Sequence, residues 1–544
     1  MRKPVVAGLM AAAAFGVVQS AGAGREAREY VVLYEHGAST AQAREAVEDA
    51  GGRIVEENTA VGLATVRSDE GDFATDAKAE RALVGAAPNE PIGQAPEQRP
   101  AQAPDVEDPA FDAERAAGAK LPKATPTEPM AGAQWDMRMI GATPEGSQAR
   151  EQGAGVQVGI IDTGIEASHP DIAPNFNHEL SRNFTFDLPA APNGEEVDGP
   201  CEEDPDGSCA DGPDVDDNGH GTHVAGTVGA AINEYGIAGV APEVDLVNLR
   251  AGQDFGYFFL QPTLDALTYA GDNGIDVVNM SFYIDPWLYN CRANPDDSAA
   301  EQAQQQLIID ATQRALRYAR NHGVTLVSAE GNGFTDLGKP ESDATSPDYP
   351  PEAGPRERTV DNSCLTMPTE GRGVIGVTSV GPSKRKAFYS DYGVEQADVS
   401  APGGDSRDPA RPFPQNKILA PYPDAVGAAE AADPTTAPSI VEDDGNYYAW
   451  LQGTSMASPH ATGVAALIVG AHGKPDRRNG GLKMDPGKVE RILLETATNT
   501  PCPEPRDFHY PEDTAGTYDA TCEGGRDLNG FYGDGIIDAD KAVR

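Results

Sequence analysis

The sequence predicts an α/β protein: a doubly wound parallel sheet with helices on both faces, preceded by a small α+β unit. Three observations carry this. Beyond about Trp135, short apolar runs alternate with helix-length segments, the mark of a sheet built from strand–helix–strand units. The first part of the chain holds a separate, shorter alternation of strand and helix signals. Between the two, from roughly Gln94 to Pro129, the chain is rich in Pro, Ala, Gln and charge, has little to bury, and reads as a linker. At 544 residues the chain is too long for one core. The expected division is a signal peptide over 1–23, a small domain over 24–95, the linker over 96–129 and the large domain over 130–544.

The elements follow in order. Arg2 and Lys3, an apolar stretch from Val5 to Val18 and the small-residue site Ala21-Gly22-Ala23 form a secretory signal peptide, so the product is expected to be secreted. In the small unit Tyr30–Tyr34 is a strand. Ser39 with Gln42 makes a capping box for a helix over Ala41–Ala50, which Gly51-Gly52 stops. Arg53–Glu57 and Leu63–Arg67 return as strands, giving a βαββ-type unit. In the large domain Val156–Asp162 is a buried strand, "HGTHVAGTVGAAI" a small-residue helix and "VDLVNLR" a strand. "TLDALTYAGDNG" is a helix, "IDVVNMSF" a strand, Ala299–Asn321 a helix stopped by Gly323, and "VTLVSAEGN" a strand again. "GTSMASPH", Gly453–His460, opens a tightly packed helix, with Pro459 in its first turn and Ser455 at its N-terminal end.

Composition narrows the function. Acidic residues number 86 against 41 Lys plus Arg, a formal charge of −45, which disfavours nucleic acid and anionic membranes as partners and suits a soluble exported protein. No later segment is apolar and long enough to span a bilayer. The six cysteines suggest disulfides. Many pairings are open; the simplest joins Cys201 to Cys209 and Cys502 to Cys522, leaving Cys291 with Cys364.

Three segments end a strand or open a helix on a group useful for acyl transfer: Asp162 in "GIIDTGI", His220 in "NGHGTHVAGT" and Ser455 in "GTSMASPH". A serine hydroxyl needs an imidazole to take its proton, and the imidazole needs a buried carboxylate to fix its tautomer and stabilise its charged form. The working site of an open α/β sheet lies beyond the carboxyl ends of its strands, where these residues fall.

With those motifs and the order Asp, His, Ser, the chain resembles the subtilisin-like serine proteases, the subtilases, from about Trp135 to the closing "NGFYGDGIIDADKAV". The resemblance implies a secreted serine endopeptidase acting on polypeptides, with Asp162, His220 and Ser455 as its triad and Asn332 donating to the oxyanion. It makes the unit from Gly24 to about Ala95 a pro-domain that assists folding, inhibits the site and is cleaved off, with maturation expected between about Gly118 and Gln134. It implies structural Ca²⁺ held by Asp171 and Asn233, with no clear match for a further ligand around Met130–Gln134. It places Ser281, Phe282, Tyr283, Gly331 and Phe258 in substrate binding. "NMSFYIDPW" departs from the small residues usual in the family, so the primary pocket is expected to be reshaped. Phe255 and Tyr257 join Phe258 at an outer subsite, and Asp216 with Asp217 would favour a basic side chain beside the cleavage point. The enzyme is expected to act as a monomer. The alternative is a catalytically inactive subtilase fold used for binding; a lipase-like hydrolase lacks its G-x-S-x-G elbow here, and a zinc peptidase lacks its H-E-x-x-H.

Overall fold

The computed structural model describes residues 27–89, 106–112, 128–190, 197–201, 208–346 and 356–544. The signal peptide, most of the linker and the first part of the expected maturation region, 118–127, lie outside the described residues.

The N-terminal unit runs β1 (Arg28–Tyr34), α1 (Thr40–Asp49), β2 (Arg53–Asn58), β3 (Leu63–Ser68), α2 (Phe73–Ala79) and β4 (Leu83–Pro88). Its antiparallel sheet has the order β2-β3-β1-β4. The Ser39–Gln42 capping box is present. The unit is therefore βαββαβ rather than βαββ. Only two of the seven residues of α2, Phe73 and Ala77, are buried, too few to show a helical period in the sequence.

After α3 (Trp135–Ile140) come β5 (Gln157–Ile161), β6 (Arg182–Asn183), α4 (His220–Gly229), β7 (Asp245–Arg250), α5 (Leu260–Asn273), β8 (Val277–Met280), α6 (Ala299–Asn321) and β9 (Thr325–Ala329). A small ladder, β10 (Ser342–Asp343) with β11 (Arg358–Thr359), precedes β12 (Val374–Val380) and β13 (Val399–Pro402). There follow β14 (Ile418–Tyr422), α7 (Asp424–Ala432), β15 (Ile440–Asp443), β16 (Asn446–Leu451) and α8 (Thr454–His472).

The main sheet is parallel throughout, in the order β13-β12-β9-β8-β5-β7-β6. Successive side chains of a strand point to opposite faces, so each strand serves two cores. Val158 and Ile160 of β5 pack with Val224, Val228 and Leu467 of α4 and α8. Ile161 packs on the other face with Leu264, Leu267 and Leu316 of α5 and α6. After β5 the chain builds β6 and β7 on one side and β8 on the other, so the crevice at the end of β5 is the switch point where such sheets work.

The N-terminal unit seals its own core around Val32, Val66 and Phe73, and its other sheet face, with Val31, Leu33, Leu63 and Ala87, joins the core of α5 and α6. Asn58 Nδ2 donates to Asp265 Oδ1 at 2.6 Å and to Thr268 Oγ1 at 2.8 Å. Arg314 donates to the Tyr34 carbonyl at 2.7 Å. Disulfides join Cys201–Cys209, Cys291–Cys364 and Cys502–Cys522.

Candidate active site

Asp162 follows β5 at the switch point, fully buried, and its Oδ1 lies 2.7 Å from His220 Nδ1. The Thr163 N–H also donates to that oxygen at 2.8 Å, which fixes the carboxylate. His220 opens α4. The chain reaches it through Gly219 at φ 103°, where an added Cβ would come within 2.4 Å of the Tyr422 ring, so only glycine fits. Burial alone would push the His220 imidazole down. The charge and hydrogen bond of Asp162, then Glu107, outweigh it and hold the ring well above its ordinary value. His223 is elsewhere: its Nε2 lies 3.2 Å from the carbonyls of Ile418 and Ala449, and burial pushes it down to about 3.

Ser455 is the second residue of α8, its hydroxyl donating to the Ser281 carbonyl at 3.2 Å. The helix N-terminus supplies unpaired N–H groups there. Pro459 stands inside α8 rather than in its first turn. Having no N–H, it leaves the Ser455 carbonyl without its helical donor, and the Ser281 hydroxyl supplies one at 3.1 Å. Asn279 completes this lock: its Nδ2 donates to Ser281 Oγ at 2.9 Å, and its Oδ1 accepts from Ser458 at 3.1 Å and Thr462 at 2.9 Å. The Ser281 side chain therefore anchors the helix that presents Ser455, and among its atoms the carbonyl is the group facing the Ser455 hydroxyl.

Asn332 follows β9 across Gly331, whose φ of 119° turns the chain. Its Oδ1 accepts from the Thr454 N–H at 2.9 Å and the Thr454 hydroxyl at 3.0 Å, which leaves Nδ2 to face the crevice. There it donates to Glu107 Oε1 at 2.5 Å.

The model of the subtilase family matches residues 153–527. The chain belongs to the subtilase family. It is similar to subtilisin DY of Bacillus licheniformis, 28% identical over 64% of this chain and 85% of that protein. Subtilisin BL of Lederbergia lenta is 27% identical over 58% of this chain and 77% of its own. In fold it resembles the epidermin leader peptide processing serine protease of Staphylococcus aureus, with a TM-score of 0.61 and 19% identity over 95% of this chain and 98% of the other. Fervidolysin of Fervidobacterium pennivorans gives a TM-score of 0.56 at 18% identity over 97% and 62%. This subtilase is accordingly a subtilisin-like serine protease, a serine endopeptidase.

The remaining expected residues divide. Phe258 and Phe282 come together, stacked with ring centroids 4.1 Å apart. Tyr283 follows them, half-buried, beside fully buried Ile284. Phe255 is 54% exposed, and Tyr257 stacks on Phe259 rather than on Phe258. Asp216 does not line a subsite. It is buried and accepts from the Gly219 N–H at 3.0 Å and from the Thr222 N–H and hydroxyl at 2.9 and 2.6 Å, so it organises the start of α4. Asp217 sits instead with Asp211 and Asp254.

Asp171 and Asn233 do meet: Asn233 Nδ2 donates to Asp171 Oδ1 at 3.4 Å and to the Pro170 carbonyl at 3.0 Å. The sequence reading missed Glu128, two residues before the window it considered. Glu128 Oε1 accepts from the N–H groups of Asn233 and Glu234 at 3.2 Å, while its Oε2 is buried with no hydrogen-bond partner. Burial pushes Asp171 up to about 7 and also raises Glu128. An orphaned carboxylate oxygen beside a second carboxylate offers hard oxygens of the kind that suit a calcium ion, whereas Asn233 presents its Nδ2 to Asp171 and its Oδ1 accepts from the Tyr235 N–H at 2.9 Å, so its amide must turn to add a third oxygen. Among the described residues no helix is long and apolar enough to cross a membrane.

Proposed function

We propose that this protease hydrolyses peptide bonds through Ser455, His220 and Asp162, with Asn332 completing the oxyanion hole. The observation that supports this most is the 2.7 Å contact of Asp162 with His220 at the switch point, beside a serine held at the mouth of α8. His220 Nε2 takes the Ser455 proton as Oγ attacks the scissile carbonyl, and returns it to the leaving amine. Asp162 fixes the tautomer and stabilises the imidazolium without itself taking the proton. The oxyanion is met by Asn332 Nδ2 and the Ser455 N–H. Water then repeats the sequence to release the acyl group.

The protein is made as an exported precursor whose N-terminal unit and linker are removed by the protease itself. Substrate strands lie along Ser281–Tyr283 and Gly331, with Phe258 and Phe282 forming one apolar wall. Glu128 and Asp171, with the Asn233 amide turned to present its oxygen, would hold a structural calcium ion, which would offset the charge of the two carboxylates and tie the segment before α3 to the loop after α4.

Purified wild type and Ser455→Ala, compared by intact mass and by reaction with a fluorophosphonate probe, test this reading. The wild type alone is expected to shorten and to be labelled. Two full-length, unlabelled proteins would sink it and favour a binding role.

A further inference from the structure

Seven residues of the linker, Val106–Asp112, cross the candidate active site. Glu107 meets its groups in turn: Oε2 lies 3.1 Å from His220 Nε2, and Oε1 accepts from Asn332 Nδ2 at 2.5 Å. The Ser455 hydroxyl lies within hydrogen-bond reach of this carboxylate as well, its one proton shared between Glu107 and the Ser281 carbonyl. An added Cβ on Gly453 would come within 2.3 Å of Glu107 Oε1, so the approach uses the bare backbone before α8. One side chain thus engages the acid–base nitrogen, the nucleophile and the oxyanion donor that the proposed mechanism needs.

The segment is anchored at both ends. Val106 is buried among Ala387, Phe388, Tyr389 and Tyr510, and its carbonyl accepts from Gln452 Nε2 at 3.1 Å. Pro109 accepts from the Ser439 hydroxyl at 2.7 Å. At the far end Phe111 stacks on Phe388, centroids 6.0 Å apart, and its carbonyl accepts from Lys417 Nζ at 3.2 Å. Asp112 pairs with Arg407 Nε at 3.3 Å and accepts from the Ser406 hydroxyl at 2.6 Å. The Arg407 guanidinium lies 4.4 Å from the Phe388 ring centroid and 4.8 Å from that of Tyr518. In a chain of net charge −45, Arg407 and Lys417 together make a cationic and aromatic bowl, and an aromatic–acidic pair fills it.

We propose that Val106–Asp112 is an inhibitory strap, separate from the folded N-terminal unit, which blocks the site with the Glu107 carboxylate and is held by the Arg407–Phe388–Lys417 bowl acting as a receptor for an aromatic residue followed by an acidic one. The inference rests on the catalytic roles proposed above. A carboxylate divided between His220 and Asn332 occupies the positions that a substrate carbonyl and its attacking group need, so the strap and a substrate exclude each other.

The test follows fluorophosphonate attachment and self-cleavage of the full-length species by intact mass, in wild type, Glu107→Gln, Glu107→Ala, Asp112→Ala, Arg407→Ala and the Asp112→Ala/Arg407→Ala double variant. Loss of a charged hydrogen-bonded partner predicts reaction of the full-length species about 10- to 100-fold faster in the two Glu107 variants. Asp112→Ala and Arg407→Ala are each expected to give a few-fold increase, and the double variant no more than the larger single one, because both remove the same contact. Equal rates for all full-length species, with normal labelling of the shortened ones, would overturn the strap and leave the protease reading standing. Absence of labelling on any species of any length would overturn both.

Discussion

Two segments that precede the large domain are held against it by different physics. On one side the N-terminal unit lays an apolar sheet face on α5 and α6, with Val31, Leu33 and Leu63 continuous with Leu264 and Leu267. On the other the strap adds to the apolar contacts of Val106 and Phe111 an ion pair, a cation over aromatic rings and hydrogen bonds to its carbonyls. Apolar burial scales with area and responds little to salt, whereas exposed and half-exposed charge pairs are screened. The N-terminal unit is held by apolar area, while the strap adds a largely buried ion pair that salt screens only in part.

The largest expected effect removes the reacting centre itself. Ser455→Ala should lower turnover by about 10⁶, the loss seen when a subtilisin loses its nucleophile, with both covers left in place by intact mass. Asn332→Ala should cost about 10²–10³ in kcat at little change in KM, again by the subtilisin precedent. Steady-state kinetics on a short peptide checks it, and an unchanged kcat would remove Asn332 from the oxyanion hole.

Asn58→Ala sharpens the comparison on the apolar flank. It removes the donor to Asp265 and Thr268 and leaves buried acceptors behind, so the N-terminal unit should loosen by about 1–3 kcal/mol. Protection of α5 from hydrogen exchange in the Ser455→Ala precursor is the readout. Raising salt from 0.1 to 1 M shortens the screening length from about 10 to about 3 Å, so strap residues should gain slightly more exchange than β1 and β4, the Asp112–Arg407 pair being largely buried. Equal responses of the two flanks would erase the distinction drawn between them.

The smallest effect concerns calcium. Asp171 is pushed up to about 7, so below that pH a proton competes with the ion for its carboxylate. Apparent calcium affinity should rise about tenfold per pH unit on approach to about 7 and level off above it. Isothermal titration at several pH values checks this, and a pH-independent affinity would place the ion elsewhere.

Much of this was legible in the sequence because it is local. The Ser39–Gln42 capping box and the helix over Ala299–Asn321 follow from spacing within one turn or one face. So do the strand ending at Asp162 and the helix opening near Ser455. Where one periodic signal was too short, as in α2, the reading failed. The sequence put Asp162 beside the imidazole and Asp216 beside the cleavage point; Asp162 does face the imidazole, while the hydrogen bonds of Asp216 are consumed by the start of α4.

By itself the sequence determined the parallel α/β architecture, the separate N-terminal unit and the residue types for acyl transfer, since apolar period, caps and motifs are written in neighbouring residues. Tertiary structure alone decided which oxygens and nitrogens meet across long separations. Glu107 reaches His220 and Asn332, Glu128 reaches Asn233, and Ser281 supplies the donor that Pro459 withholds from the Ser455 carbonyl. No local pattern marks such residues, because a carboxylate in a linker looks like any solvated charge until folding removes the water around it.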